Sequence, residues 1–176
     1  VSLKSGERLK VGAVVDAEGI ASTLLKQVGL QMSDRLLAVS AVNGEVDHAD
    51  CLEDDTVEVY FGQKFAPGLY AWMIPKRDGS AKVGLATRTG SPREHLKFLL
   101  SGHPVASKKI RFNDVKNLSY HLIPLGGPIP KTYHSGFLAV GDVASQVKPT
   151  TGGGVVMGLT CGRLARETAA QAVKQK

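Results

Sequence analysis

Cysteine is scarce in this sequence. Its 176 residues hold two, Cys51 and Cys161, far apart and outside any C-x-x-C pair. That excludes a disulfide scaffold or a zinc ribbon and suits a reducing, cytoplasmic setting. No run of about 18 apolar residues occurs, so no segment reads as membrane-spanning, and no secretory leader is recognisable. There is no internal repeat of tens of residues and no low-complexity tract. Lysine and arginine are plentiful but scattered, without a nucleic-acid-binding motif, so nucleic acid is not an expected partner. A dinucleotide-binding G-x-G-x-x-G loop is missing too. Gly152-x-Gly154 begins like one, but these glycines lie well after a strand, and the third falls at Gly158, one position late.

What is present suits a folded domain. Hydrophobic residues make up 43% of the chain, enough for a core. The formal charge of +6 favours anionic partners such as phosphates, an acidic redox protein or an acidic lipid surface. The sequence opens on Val1 inside an apparent strand and closes soon after a helix, so it is expected to be cut from a longer protein.

Read in order, Val1–Leu9 looks like a hairpin turning at Lys4-Ser5-Gly6-Glu7, and Val11–Val15 like a strand. The strand runs into Asp16-Ala17-Glu18-Gly19. A helix is then predicted over Ile20–Val28, opened by Ser22 and ended by Gly29. Leu36–Val42 reads as a strand closed by Asn43-Gly44. The acidic stretch Glu45–Asp55, with Asp47, His48, Asp50 and Cys51, has no metal-ligand spacing and reads as a solvated loop. Strands are predicted over Thr56–Phe61, Tyr70–Pro75 and Lys82–Thr87, the last two joined by Arg77-Asp78-Gly79-Ser80. Ser91 caps a predicted helix with Pro92 at its first position and Leu96, Leu99 and Leu100 on one side. Lys108–Arg111 reads as a surface cluster, and Leu118–Leu125 as a further strand. The strand-rich middle between strand-then-helix ends suggests an antiparallel sheet inserted into an α/β domain.

The most informative stretch is Gly136–Gly154. Phe137–Val140 has the composition of a buried strand. Gly141 loosens its exit, and Asp142 sits where α/β sheets bind ligands. Thr150 or Thr151 can cap the helix beginning near Gly152. Gly152, Gly153 and Gly154 would bring backbone N–H groups to that helix's positive end. Strand, acid and helix thus follow one another twice, at Asp16 and at Asp142. Gly154, Gly158 and Gly162 share a helix stripe and suggest close approach to a sheet or ligand.

Four segments carry a resemblance: VVDAEGIAST (Val14–Thr23), YAWMIPK with KVGLA (Tyr70–Lys76, Lys82–Ala86), HLIPLGGP (His121–Pro128), and GFLAVGDVASQVKPTTGGGVVMGLTCG (Gly136–Gly162). Together they resemble the geranylgeranyl reductase family of FAD-dependent oxidoreductases, within the p-hydroxybenzoate-hydroxylase-like group. Ile74 stands where that family usually has Phe. The resemblance implies an α+β chain in which an antiparallel substrate-domain sheet (34–125) is flanked by parts of an FAD-binding Rossmann-like domain (1–33 and 126–176). Members begin with a G-x-G-x-x-G loop for the ADP half of FAD, so the chain is expected to be a piece that neither holds FAD tightly nor turns over alone.

The implied flavin site comprises Asp16, Gly141, Asp142, Pro149, Thr151, Gly152, Gly153 and Gly154. Asp142 would bond a ribityl hydroxyl, Pro149 would shape the turn beside the ring, and the glycines would approach its pyrimidine edge. Tyr70, Trp72 and Pro75 would line a pocket for an isoprenoid chain. The implied activity is saturation of isoprenoid double bonds in a lipid or prenyl diphosphate, with electrons from a nicotinamide, ferredoxin or other carrier and possible peripheral contact with a membrane. No protein group is assigned a catalytic role, because hydride chemistry belongs to the cofactor. A hydroxylase or halogenase of the same group, and a non-catalytic apolar-ligand-binding domain, are the alternatives.

Overall fold

The computed structural model describes all residues except Ser33, Arg35, Leu36, Asp50 and Lys176. The expected strand start at Leu36 and the loop acid Asp50 therefore lie outside the described residues. The chain forms two compact units. Unit 1 combines Val1–Leu37 with Pro124–Lys176, and unit 2 is Ala38–Ile123.

Unit 2 is built on a five-stranded antiparallel sheet. Its strands are β2 (Ala38–Val46), β3 (Glu58–Phe61), β4 (Tyr70–Pro75), β5 (Ala81–Thr87) and β6 (Lys116–Pro124), ordered β3-β4-β5-β2-β6. Alternation divides the side chains between two faces. Val42, Val46, Tyr60, Ala71, Met73, Val83 and Leu85 are buried on one of them against Leu96, Leu99 and Leu100 of helix α2 (Pro92–Gly102). Helix α2 starts as expected: Ser91 Oγ accepts the Glu94 N–H at 3.4 Å and Pro92 fills the first turn. A short helix α3 (Ala106–Lys109) follows.

Asn43-Gly44 does not close β2. Both residues lie in mid-strand, paired with Gly84 and Val83 of β5. Gly44 is there because the neighbouring chain comes too close for a side chain. A Cβ on it would stand 2.5 Å from Val115 Cγ1 and 2.9 Å from the Lys116 carbonyl oxygen. A glycine inside a strand often marks such an approach. The strand expected from Thr56 begins only at Glu58.

Lys109 of the expected surface cluster is only partly exposed and forms an ion pair with Glu58 on β3. The other Glu58 carboxylate oxygen accepts a hydrogen bond from the Tyr60 hydroxyl. Tyr60 also packs edge-on against His103, with ring centroids 5.0 Å apart.

Unit 1 holds a three-stranded sheet of β1 (Val14–Asp16), β8 (Phe137–Ala139) and β7 (Tyr133–His134), ordered β1-β8-β7. β1 and β8 run parallel with Val14 opposite Phe137 and Asp16 opposite Ala139. The strand expected over Val11–Val15 starts late because Val14 is the first residue to reach this pairing, its N–H bonding the Gly136 carbonyl at 2.9 Å. The core joins Leu25, Ile129, Phe137, Ala139, Val143 and Ala144.

The helix expected over Ile20–Val28 is interrupted. A 3-10 turn at Gly19–Ala21 and helix α1 (Thr23–Gln27) are separated by Ser22, which adopts a left-handed conformation (φ 57°). Ser22 makes no side-chain cap; Glu18 Oε1 accepts the Leu24 N–H at 2.7 Å instead. Gly29, also at positive φ (72°), follows the helix end as expected. Helix α4 (Val155–Lys174) ends the described chain.

The Glu58 cluster sets a pH dependence. Burial opposes the Glu58 charge, but hydrogen bonds from Lys109 and Tyr60 and the Lys109 charge outweigh it, holding the carboxyl below its ordinary 4.5. A carboxylate lowered in this way stabilises the fold above its unfolded-state pKa, and that contribution is lost as pH falls through the folded value. Replacing Glu58 by Gln should therefore cost roughly 1.5–3 kcal/mol at neutral pH, the range for a hydrogen bond to a charged group. The difference from the unmodified protein should shrink on acidification below about pH 4, as measured by denaturant unfolding across pH. A pH-independent difference would place the effect outside this carboxylate.

Candidate functional site

The two parallel strands of unit 1 bring Asp16 and Asp142 to one edge. β1 ends on Asp16, whose carbonyl accepts the Val140 N–H at 2.9 Å, and β8 runs out through Val140 into a 3-10 turn at Gly141–Ala144 that contains Asp142. Each strand exits into an acid and a 3-10 turn, and each turn ends on a left-handed serine: Ser22 (φ 57°) and Ser145 (φ 53°). The two turns pack against each other. The repetition seen in the sequence at Asp16 and Asp142 is thus one edge built twice.

Asp16 is 1% exposed. Its Oδ1 accepts the Glu18 N–H at 3.0 Å, while its Oδ2 is buried with no protein partner. Burial pushes its carboxyl pKa up; the Glu18 N–H bond works against this and the Glu18 charge adds to it. Asp142 is half-buried and stands beside the entrance to α4. A Cβ placed on Gly154 would lie 3.2 Å from Asp142 Oδ1 and 3.7 Å from Val147 Cγ2. Gly154 therefore leaves a recess that even alanine would narrow.

Gly141 has φ 77° and donates its N–H to Gln146 Oε1 at 2.8 Å. This bond ties the turn to the loop that follows. The loop then closes on itself: Gly152 (φ 68°) donates to the Lys148 carbonyl at 2.9 Å, and Lys148 donates to the Gly153 carbonyl at 3.2 Å. The Gly152 amide is thus engaged within the loop, not offered to a ligand. Pro149 and Thr151 lie exposed on this loop.

Neither Thr150 nor Thr151 caps α4. The helix begins at Val155 with Gly154 as its N-cap and no side-chain cap bond. No sheet approaches Gly158 or Gly162 closely, since a Cβ at either position meets no protein atom within 4 Å among the described residues. Val155, Val156 and Leu159 are exposed at this end of the helix. Farther along, Leu164 and Ala165 of α4 and Phe137 and Ala139 of β8 line an apolar cleft of 510 Å³, which none of the expected site residues enters.

The second group of expected residues lies in unit 2, on the sheet face opposite α2. Tyr70 and Trp72 share that face, their rings edge-on with centroids 5.9 Å apart. Phe61 of β3, which is 73% exposed, extends the row, 5.6 Å from Tyr70. The result is an aromatic strip of three rings across two strands. Pro75 does not join it. By alternation Pro75 falls on the side of Ala71 and Met73, and it lines a separate recess with Leu52, Glu53 and Lys76.

Three residues of these neighbourhoods escaped the sequence reading. Phe61 could have been found from the alternation of β3. Asn43 and Gly84, which contact Trp72, depend on a register between distant strands that no local pattern records. Among the described residues no helix is long and apolar enough to cross a membrane.

A family model described as the geranylgeranyl reductase catalytic domain matches residues 38–111. Digeranylgeranylglycerophospholipid reductase 2 of Methanothermobacter thermautotrophicus is 36% identical over 96% of this chain, and the digeranylgeranylglycerophospholipid reductase of Methanocaldococcus jannaschii 34% over 94%. The chain spans 43% of the length of each.

Among solved structures, a geranylgeranyl bacteriochlorophyll reductase-like protein of Thermoplasma acidophilum superposes with a TM-score of 0.83. It is 24% identical, over 94% of this chain and 42% of its own. A flavin-dependent brominase mutant superposes at 0.71 with 16% identity, over 97% of this chain and 46% of its own. At these identities the structural matches establish the α+β fold, while the likeness to geranylgeranyl reductases rests on the catalytic-domain match and the two sequence relatives. The chain is similar to members of the geranylgeranyl reductase family along nearly its whole length.

Proposed function

We propose that this chain contributes flavin-contacting residues from unit 1 and isoprenoid-contacting residues from unit 2 to an FAD-dependent reductase. That enzyme saturates the double bonds of geranylgeranyl chains in a glycerophospholipid. The observation carrying this reading is the aromatic strip Phe61–Tyr70–Trp72, which falls inside the segment matched to the catalytic domain. A strip of rings suits a long, flexible hydrocarbon, which is recognised by area and shape and not by hydrogen bonds. The relatives' names supply the lipid class. A formal charge of +6 suits a phosphate head group or an anionic membrane surface that presents the lipid.

The residues at the strand exits fit FAD. Asp16 keeps a buried oxygen without a protein partner, and the recess between Asp142 and Gly154 is one that a Cβ would fill. Asp142 would accept from a ribityl hydroxyl, and Gly153 and Gly154 would bring backbone close to the ring at the positive end of α4. Gly141 and Pro149 would shape the approach, and Thr151 would sit at its rim. When bound, the flavin supplies hydride to the carbon–carbon double bond. The chain's residues bind and orient it, and the ADP half would be held by residues outside these 176.

The whole purified protein should be yellow. Its flavin absorbance should bleach with dithionite and return on anaerobic addition of a geranylgeranyl glycerophospholipid. Asp142→Ala should weaken FAD retention roughly ten- to a hundredfold in equilibrium dialysis, the equivalent of losing one charge-assisted hydrogen bond. A colourless protein that still binds the lipid would leave only an apolar-ligand-binding domain.

Asp16→Asn separates stability from cofactor binding. Because burial raises the Asp16 pKa, this residue favours folding below its unfolded-state pKa, and that advantage is lost as pH rises through the folded value. Asparagine keeps an acceptor for the Glu18 N–H and removes the buried charge. The cofactor-free variant should melt above the unmodified protein at neutral pH, with the gap closing in acid, while its FAD affinity falls. A lower melting temperature at neutral pH would assign Asp16 a structural role instead.

A further inference from the structure

The aromatic strip ends in a construction that its own residues do not explain. Val59 of β3, Trp72 of β4, Gly84 of β5 and Asn43 of β2 are successive cross-strand partners. They form one row perpendicular to the strands. The Trp72 side chain does not stand up from this row. It lies down along it, and its Nε1–H donates to Asn43 Oδ1 at 3.3 Å. Asn43 is two strands away, roughly 10 Å at ordinary strand spacing. An indole can bridge that distance only by crossing β5 in contact with its backbone.

Gly84 makes the crossing possible. A Cβ at this position would stand 2.6 Å from Trp72 Nε1 and closer still to Cζ2 and Cε2, inside any allowed contact. Neither neighbour is replaceable by a generic strand residue: one must lack a side chain, and the other must present an acceptor at the indole's far end. Asn43 is itself anchored, since its backbone carbonyl accepts from Ser119 Oγ on β6 at 3.3 Å. Glycine and asparagine are both poor strand formers, and here they stand side by side in the middle of a sheet.

We propose that Asn43 and Gly84 are positioning residues that lay the Trp72 indole flat across β5, making it a fixed floor for one isoprenoid chain. The use of the floor rests on the isoprenoid reading above; the positioning does not. An upright tryptophan would divide the sheet face with a wall. A flat one leaves the face open along the Phe61–Tyr70–Trp72 strip and offers hydrocarbon a rigid ring surface. The hydrogen bond satisfies the indole N–H, which would otherwise be left facing an apolar ligand at an energetic cost.

The test uses the whole protein and the indole ¹H–¹⁵N resonance of Trp72, assigned by its loss in Trp72→Phe. Asn43→Leu should move this resonance and speed its exchange with solvent at least tenfold. Asn43→Asp, which keeps an acceptor, should restore slow exchange. Gly84→Ala should also displace the resonance and weaken binding of geranylgeraniol at least tenfold. An unmoved resonance in Asn43→Leu would overturn the proposal, as would a folded Gly84→Ala with an unmoved resonance. If Gly84→Ala fails to fold, the asparagine pair alone decides. Should the unmodified protein's Trp72 resonance ignore geranylgeraniol while Asn43→Leu still shifts it, the positioning role stands and the isoprenoid reading falls.

Discussion

Three residue pairs hold unit 1 closed. Val14, Val15 and Asp16 lie against Phe137, Leu138 and Ala139 in parallel register. The two strands come from opposite ends of the chain, with the whole of unit 2 between them in sequence. Closing so long a loop costs entropy that grows only slowly with its length, so an inserted domain is tolerable if the pairing is buried. Phe137 and Ala139 are buried, and the core around them takes in Leu25, Val143 and Ala144. The register also places the candidate site. Because the strands are parallel and in step, both exits fall on one edge, and Asp16 and Asp142 fall there with them. A slip by one residue would turn the side chains of β1 to the other face and take Asp16 from its buried site.

Much of this was legible in the sequence where the signal is local. Ser91-Pro92-Arg93-Glu94 announced its helix because cap, proline and acid act within one turn. Tyr70–Pro75 and the turn at Arg77–Ser80 followed from alternation and turn chemistry. Reading failed where a residue's neighbours lie far along the chain. Asn43-Gly44 has the letters of a turn, yet Gly44 answers to Val115 and Lys116, and Asn43 to Trp72. Ser22 looked like a helix cap, but its left-handed backbone made Glu18 the capping residue. Threonines before Gly152 looked like caps as well. The loop closed on its own carbonyls and left α4 to start at a glycine.

The candidate site was legible in the same proportion. An acid at a strand exit before a helix is a pattern in sequence, and it located Asp16 and Asp142. Two aromatic residues at alternate positions are also a pattern, and they located Tyr70 and Trp72. Pro75 was drawn in by proximity along the strand, and the pleat sends it to the other side. What no pattern supplied was the row of residues beneath the Trp72 side chain. The row from Val59 to Asn43 exists only through the registers of three strand pairs. A sheet face is thus half-readable: its protruding residues have local signatures, and the residues that shape them from beneath do not.

The distribution of unfavourable features separates the two units. The sheet of unit 2 buries its apolar face against α2, and its polar cluster at Glu58, Tyr60 and Lys109 is mutually bonded. In unit 2 a left-handed backbone falls on Asn117 (φ 52°), a residue type that tolerates it, while the strand exits of unit 1 carry the other uncompensated terms. Ser22 and Ser145 hold left-handed backbones, at roughly 1–2 kcal/mol each. The Ser145 hydroxyl and one Asp16 oxygen are buried without protein partners, each at roughly 1–3 kcal/mol. Substitutions to Gly and Asn could relieve most of these locally, so their presence calls for a counterweight outside stability. Strain and unsatisfied groups concentrate where a fold trades stability for binding. Both orphaned groups lie at strand-exit segments of unit 1, where its parallel pair delivers two acids. A ligand that presents hydroxyl donors to Asp16 and Asp142, as the proposed cofactor does, would satisfy the carboxylates and offset their burial.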